Sequence, residues 1–123
     1  MAVKPFTETV LDWAKLVTWT LAAGDTGEPY ANPEFYDRSV QVIVAGTAGT
    51  TTIQGANFLY QEIATATYGT LTTTDETVAL TFTATGGPKV VLQPVLLIRP
   101  SHAAGDGTTV IVVRLFLATS ARR

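Results

Sequence analysis

Two apolar, β-branched runs near the end of the chain restrict its possible folds more than any other feature. Residues 95–98 and 110–113 contain no polar side chain, and the loop at 101–107 between them holds two glycines and an aspartate. Such a pattern is typical of a β-hairpin. Because a strand that is apolar on both parities is usually covered on both faces, we expect 110–113 at the centre of the fold. The hairpin 94–117 is therefore predicted to be the spine of a β-sandwich.

Further strand signals are spread along the chain. Apolar and polar residues alternate in 15–21 and in 38–44, which predicts half-buried strands. The inward-facing side chains of these two strands are expected to be Val17, Trp19, Leu21, Val40, Val42 and Val44. Two glycines at 46–49 predict a second hairpin, from 38–44 into 50–54. Other short strands are expected at 58–63, 78–83 and 89–93. About eight strands, spaced roughly 10 to 15 residues apart, predict an all-β antiparallel β-sandwich or jelly-roll.

The first 13 residues are predicted to form an N-terminal arm, followed by one β-sandwich domain at 14–123. A chain of 123 residues has room for one core. Pro5 disfavours an early helix, and the large apolar residues that follow it have no clean period: Phe6, Val10, Leu11 and Trp13. One interpretation is a segment that lies on a neighbouring subunit. The other is a frayed terminus or a short helix capped by Thr7 or Thr9.

The composition favours a protein-binding role. Only 15% of the residues are charged and 46% are hydrophobic, whereas about 25% charged is usual, so apolar surface is left over for a protein partner. A net charge of -2 gives no reason to expect nucleic acid or membrane as a partner. The absence of cysteine excludes disulfides and thiolate chemistry. The absence of cysteine is also compatible with folding in the cytosol, and the sequence shows no signal-peptide pattern and no apolar run of about 20 residues.

Candidate chemistry is sparse. His102 is the single histidine, and Ser101 and Asp106 lie beside it. Residues so close on one loop rarely gain the separate approach directions of a catalytic triad, so a polar turn is the preferred interpretation. Four acids could supply oxygen ligands to Ca²⁺, but their spacing does not match a calcium loop and a solvated loop is preferred: Asp25, Glu28, Glu34 and Asp37. We therefore expect that the protein is not an enzyme and that it has no catalytic residue, no metal and no cofactor.

Two groups of side chains remain open to alternatives. The aromatic residues Tyr30, Phe35 and Tyr36 share one long loop, where they could plug one end of the sandwich, contact a protein or stack on a sugar. Three arginines lie in or beside apolar strands: Arg38, Arg99 and Arg114. Each is expected to find a carboxylate or backbone carbonyls, or to face a subunit interface. The alternative is an outward-facing arginine whose stem lies along the sheet.

Several short phrases, in order, resemble the capsid decoration (cement) proteins of tailed bacteriophages. The phrases are TWTL at 18–21, GDTGEP at 24–29, DRSVQV at 37–42, TIQGAN at 52–57, ALTFTA at 79–84, IRP at 98–100 and GDGTT at 105–109, with a basic end at Arg122 and Arg123. The resemblance covers roughly residues 18 to 123. Where relatives typically continue the asparagine with an Asp-Gly turn, this chain has Phe58-Leu59, so that corner is expected to differ.

The resemblance implies a structural virion protein. Such a protein folds in the host cytoplasm, binds the outer surface of the phage capsid and cements neighbouring major capsid protein subunits, itself a homodimer or homotrimer. Under this hypothesis the capsid or subunit interface would include Phe6, Val10, Leu11, Trp13, Tyr30, Phe35, Tyr36, Arg122 and Arg123. The alternatives are a carbohydrate-binding or host-adhesion module on the virion, and a tail or head-completion component.

Overall fold

The chain folds into two β-sheets packed face to face. The structure, a computed structural model, describes residues 2–31, 37–73, 78–93 and 95–118. Its elements in chain order are β1 (Val3–Lys4), β2 (Phe6–Val10), β3 (Ala14–Leu21), β4 (Thr26–Gly27), β5 (Tyr30–Ala31), β6 (Asp37–Ala45), β7 (Thr50–Ala56), a 3₁₀ helix (Tyr60–Thr65), β8 (Gly69–Thr70), β9 (Thr81–Phe82), β10 (Gly86–Val90), β11 (Leu97–Ala103) and β12 (Val110–Ala118). The prediction of an all-β sandwich is confirmed.

The first layer is a five-stranded antiparallel sheet in the order β10-β6-β12-β3-β2. β12 lies at its centre, as predicted for 110–113, and pairs along its whole length with β6 and along most of it with β3. Successive strand residues point to opposite faces, so alternate side chains of β12 enter the core. The buried set on this strand is Ile111, Val113, Leu115 and Leu117.

The second layer is built on β11 and β7. Its order is β1-β4-β11-β7-β8, with β5 also paired to β11 and β9 also paired to β7. β1 and β4 run parallel, and the other pairs are antiparallel. Apart from the β11–β7 ladder, the strands of this layer are only two residues long. This layer therefore depends on packing against its neighbours more than on its own ladder.

A single apolar core fills the space between the layers. Its largest fully buried side chains include Trp19, Leu21, Ile53, Leu80, Ile98, Ile111 and Leu115. The Trp19 indole N–H donates to the Glu28 carbonyl at 2.9 Å, which satisfies the one polar atom that this ring buries. Val17, Trp19 and Leu21 face inward as predicted. In β6, Val40 and Val42 are buried, and Val44 packs against the core half-buried.

Both predicted hairpins are wrong, for one shared reason. β11 and β12 lie in different sheets, and so do β6 and β7. The loops 104–109 and 46–49 therefore cross from one layer to the other. Each of these strands buries one face between the layers, and opposing sheets can bury such faces against each other without pairing the two strands. Each strand then forms its ladder with a partner more distant in sequence.

The two crossing loops lie side by side at one end of the sandwich. The Thr47 hydroxyl donates to the Asp106 carboxylate at 2.8 Å, and the Thr47 N–H donates to the Thr108 hydroxyl at 3.2 Å. Gly46 has φ +73°, and a Cβ atom there would lie 1.9 Å from the Thr108 carbonyl oxygen. Only glycine permits both the backbone conformation and this close approach.

Three local predictions also need correction. Residues 60–65 form a 3₁₀ helix, where 58–63 was expected to be a strand, because Glu62 accepts a hydrogen bond from the Leu59 N–H at 2.9 Å and caps a helical turn. In the expected strand 78–83, β9 pairs with β7 and Ala79 forms an isolated bridge with Thr72, while Leu80 and Phe82 are buried. β10 uses the expected turn residues 86–88 and ends at Val90, three residues earlier than the predicted strand.

The N-terminal segment supplies one edge strand to each sheet. β1 pairs with β4, and after Pro5 the chain enters the other layer, where β2 pairs with β3. The Phe6 ring lies against Trp19 and Tyr30, at centroid distances of 6.1 and 5.1 Å. This segment thus belongs to the sandwich along 3–10. Within the described parts of the chain, no helix has the length and apolarity needed to cross a bilayer.

Candidate functional site: the open face of the five-stranded sheet

The outward-facing side chains of β3, β6 and β12 form a broad surface, which we call the open face. By alternation and register its members are Leu16, Thr18, Thr20, Ser39, Gln41, Ile43, Ala45, Val110, Val112, Arg114 and Phe116. Ile43 is 40% exposed and Val110 44% exposed, while Val112 and Phe116 are half-buried. The structure thus revises the prediction that 110–113 is covered on both faces. The outer face at these positions is therefore at least partly open to solvent.

Aromatic and aliphatic side chains concentrate at one end of the open face. Trp13 packs edge-on against Phe116, with ring centroids 5.7 Å apart and an interplanar angle of 77°. Phe116 in turn lies opposite Leu16 in the β12–β3 ladder. Trp13 remains 48% exposed and the neighbouring Leu11 47% exposed. The apolar surface therefore extends continuously from the sheet onto the turn between β2 and β3.

A shallow depression of about 200 Å³ lies in the open face. Its lining residues come from four strands: Leu16, Ser39, Gln41, Pro88, Arg114 and Phe116. Arg114 is the one charged group in this set. Its cross-strand neighbours are Thr18 and Gln41, both neutral, and its side chain makes no hydrogen bond or ion pair with any residue that the structure describes.

The outer face of the other sheet, which we call the covered face, is arranged differently. Leu97 points outward from β11, opposite Ala56, yet it is 0% exposed. Arg99 also points outward, and its guanidinium lies 3.6 Å from the ring centroid of Tyr68 while its Nε donates to the Gln54 amide oxygen at 2.9 Å. Burial lowers the pKa of Arg99 and raises that of Tyr68. The Tyr68 ring thus lies over this face at Arg99.

The other two arginines named from the sequence have different surroundings. Arg38 is buried and donates to the backbone carbonyls of Gln93 and Val95, at 3.4 and 3.2 Å, which confirms one of the predicted outcomes. Arg99 uses a side-chain amide and an aromatic ring, which the sequence analysis did not anticipate. Arg114 is the outward-facing one.

The three residues considered as a triad do not converge. His102 is buried; its Nδ1 accepts the Gly24 N–H at 3.3 Å, so its Nε2 carries the proton and donates to the Ala48 carbonyl at 2.7 Å. Ser101 points to the opposite face of β11. The Asp106 carboxylate accepts bonds from Thr108 and Thr47, which lower its pKa. His102 therefore joins two loops, as a structural residue.

The acidic loop is likewise held by protein groups. Asp25 is buried and accepts the Ala22 N–H at 2.9 Å and the Ala2 N–H at 3.2 Å, with the Lys4 ammonium at 3.6 Å. The Ala22 N–H makes the largest contribution to lowering the pKa of Asp25. Glu34 lies outside the described residues. Within the described ranges, no three His, Cys, Asp or Glu side chains come together to hold a metal ion.

The structure separates the predicted interface residues into three sets. Phe6 packs in the chain's own core, and Tyr30 is buried there with its hydroxyl donating to Glu8. Exposed apolar residues remain at the β2–β3 turn, where Val10, Leu11 and Trp13 lie. Outside the described residues are Phe35, Tyr36, Arg122 and Arg123. Leu16, Ile43, Val112 and Phe116 were not among the predicted interface residues, although the unbroken apolar run 110–113 was a usable signal for this face.

Comparison with known proteins finds similar folds but no similar sequence. No family model matches the sequence, and neither does any curated protein. A prophage protein has a similar fold. The crystal structure of the SPBc2 prophage-derived protein YomS matches with a TM-score of 0.56 and 10% identity, covering 89% of this chain and 99% of YomS. An identity this low shows a common fold only.

Two bacterial structures match less well. An uncharacterized conserved protein with a double-stranded β-helix domain from Klebsiella pneumoniae has a TM-score of 0.45 and 12% identity, over 95% of this chain and 74% of that protein. A cupin domain from Bordetella pertussis has a TM-score of 0.40 and 14% identity, over 97% of this chain and 99% of that domain.

Proposed function

We propose that this protein is a structural component of a phage virion that binds the outside of the capsid through its open face. In this role it cements neighbouring major capsid protein subunits and has no catalytic activity. The observation that carries the proposal is the open face itself, a broad sheet surface on which Ile43 and Val110 are exposed and Trp13 extends the apolar area beside Phe116.

The chemistry of the open face supports protein binding. Exposed apolar side chains that form one continuous surface are typical of protein interaction sites. The centres of such sites are enriched in aromatic residues and arginine and depleted of other charges. Trp13, Phe116 and Arg114 supply this combination within one region of the surface.

The fold and the sequence resemblance support the phage context. YomS, which shares the fold, is described as prophage-derived. The ordered phrases between 18 and 109 resemble capsid decoration proteins. A cement protein needs a stable β-sandwich and a docking surface, and many copies on one shell gain strength from multivalency.

The sugar-binding alternative depended on an exposed platform of three aromatic rings. Tyr30 is 5% exposed and contacts Phe6, so it is not available for stacking on a sugar. The burial of this ring favours the capsid-binding hypothesis over the carbohydrate-binding one.

Co-sedimentation with capsids tests the proposal. The ligand is heads assembled from the major capsid protein of the phage or prophage that encodes this chain, without this protein. We expect the wild type to co-sediment, and Ile43→Glu to bind at least tenfold more weakly because it places a charge in the apolar interface. Leu59→Glu is the matched control, since Leu59 is 52% exposed and does not belong to the open face. Its binding should equal that of the wild type.

The outcomes separate two errors. A wild type that does not co-sediment would show that the capsid-binding function is wrong. Equal binding by Ile43→Glu and wild type would show that a different surface is used. Thermal unfolding of each variant checks that the fold is kept.

A further inference from the structure

We infer that the partner of the open face inserts a carboxylate against Arg114, from an acidic side chain flanked by apolar ones. This inference rests on the proposed function and adds the chemistry of the contact. It is carried by the position of one cation in a depression that is otherwise neutral.

Arg114 is surrounded by apolar and neutral groups. Along β12 its same-face neighbours are Val112 and Phe116, and across the ladders it meets Thr18 and Gln41. The depression beside it is bordered by the apolar side chains of Leu16, Pro88 and Phe116. A partner seated on this border would exclude water from the guanidinium.

Among the described residues, no carboxylate forms an ion pair with Arg114. The outward positions of β3, β6 and β12 carry one acid, Asp37, at the beginning of β6. Asp37 is four residues from Gln41, the neighbour of Arg114, which places it roughly 13 Å away along the strand. The positive charge at the centre of the open face is thus left for a partner to neutralise.

Docking without a carboxylate would leave a desolvated, unpaired cation, which is strongly unfavourable. The covered face shows how this chain treats an arginine that it does bury. Arg99 donates a hydrogen bond to the Gln54 amide oxygen, and its guanidinium lies against the Tyr68 ring. Arg114 has no such provision among the described residues, so the complementary group is expected from the partner.

The geometry of the depression also favours an acidic side chain. A guanidinium offers two parallel N–H groups to a carboxylate. Ser39 and Gln41 line the same depression and can donate neutral hydrogen bonds to a carboxylate oxygen. A second copy of this chain, related by a twofold axis at Arg114, would instead bring two guanidinium groups together. The observations therefore favour a different protein that carries the acid.

A charge series at Arg114 tests the inference with the same heads. We expect Arg114→Gln to weaken binding roughly 30-fold or more and Arg114→Glu to weaken it further, because each leaves the buried carboxylate unpaired. Arg114→Lys keeps the charge but loses the paired N–H geometry, so it should fall between the wild type and Arg114→Gln. Lys89→Gln is the control: it removes an exposed cation of the same sheet that lies 5.3 Å from the Phe82 ring centroid, and its binding should be unchanged.

The readouts distinguish the inference from the function on which it rests. If the wild type binds and Arg114→Gln and Arg114→Glu bind equally well, the carboxylate contact is wrong while capsid binding stands. Equal losses for Lys89→Gln and Arg114→Gln would indicate general charge attraction and would also overturn the inference. Tighter binding by Arg114→Glu would mean that the partner presents a cation. If sedimentation shows that the wild type dimerises and Arg114→Glu does not, the occupant is a second copy and the inference is wrong.

Discussion

Arg99 and Arg114 occupy comparable positions in the two sheets, yet Arg99 has partners within the chain and Arg114 has none among the described residues. Both point outward from a long strand, β11 in one layer and β12 in the other. Arg99 lies between the Tyr68 ring and the Gln54 amide. Arg114 lies exposed in a depression otherwise lined by neutral side chains and has no ionic or hydrogen-bonding partner in the described part of the chain.

The difference extends from these arginines to the faces that carry them. Leu97 on the covered face is fully buried, whereas Ile43 on the open face is 40% exposed. In a small sandwich, each sheet packs one face against the core, and its other face can remain exposed to solvent. Here Leu97 and Arg99 are covered on one outer face, Arg99 by the Tyr68 ring, whereas Ile43 and Arg114 are exposed on the other. The stability of the protein should therefore depend on the covered face, and its binding on the open face.

Truncating one aliphatic side chain on each face should give the largest contrast. Leu97→Ala is expected to lower the free energy of unfolding by about 2–5 kcal/mol, because it leaves a cavity. Ile43→Ala should lower it by less than about 1 kcal/mol, since the side chain is already partly in water. Urea unfolding of both variants measures this. Equal losses would mean that the two faces are equally covered.

Acid should destabilise the protein by protonating Asp25, which lies on neither the open face nor the covered face. The pKa of Asp25 lies below its ordinary value of 3.8, chiefly because of the Ala22 N–H. A lowered folded-state pKa stabilises the protein above about pH 4, and this contribution is lost as pH falls through the folded-state pKa. Asp25→Asn should lower the free energy of unfolding at pH 7 by about 1.5–3 kcal/mol.

The same substitution should flatten the pH dependence of stability below about pH 4. Unfolding measured from pH 2 to 7 checks both effects, and Asp12→Asn serves as the exposed control. A variant that keeps the full acid sensitivity of the wild type would show that another carboxylate is responsible.

The smallest contrast is in the stability of the two arginine variants. Arg99→Gln removes the stacking on Tyr68 and the bond to Gln54, and should lower the free energy of unfolding by roughly 1 kcal/mol. Arg114→Gln should change it by less than about 0.5 kcal/mol, because the side chain is exposed. Calorimetry at one pH measures the two midpoints. If Arg114→Gln is the more destabilising variant, Arg114 has a structural role that the described contacts do not include.

The fold class could be predicted from the sequence because it depends on alternation within single strands. The pattern at 15–21 placed Val17 and Trp19 inward, as found. The partners of each strand could not be predicted, because a glycine loop such as 46–49 is compatible with a hairpin or with a crossing between layers. That choice depends on long-range pairing, such as β12 with β6, which local sequence does not record.

The candidate site was only partly accessible from the sequence for a related reason. Trp13 was noticed because a large apolar residue is unexpected in an N-terminal segment. Val112 and Phe116 belong to an apolar strand. The sequence pattern of such a strand is the same whether the chain itself or a partner covers its second face. Exposure is a property of the whole fold, so these residues could be assigned to the open face only with both sheets in place.

A cryo-electron microscopy reconstruction of the same heads after mixing with this protein tests the central claim most directly. We expect added density at regular positions on the outer surface, with the five-stranded sheet facing the shell and Arg114 beside an acidic residue of the major capsid protein. Heads without added density, or density in which the covered face contacts the shell, would contradict the account.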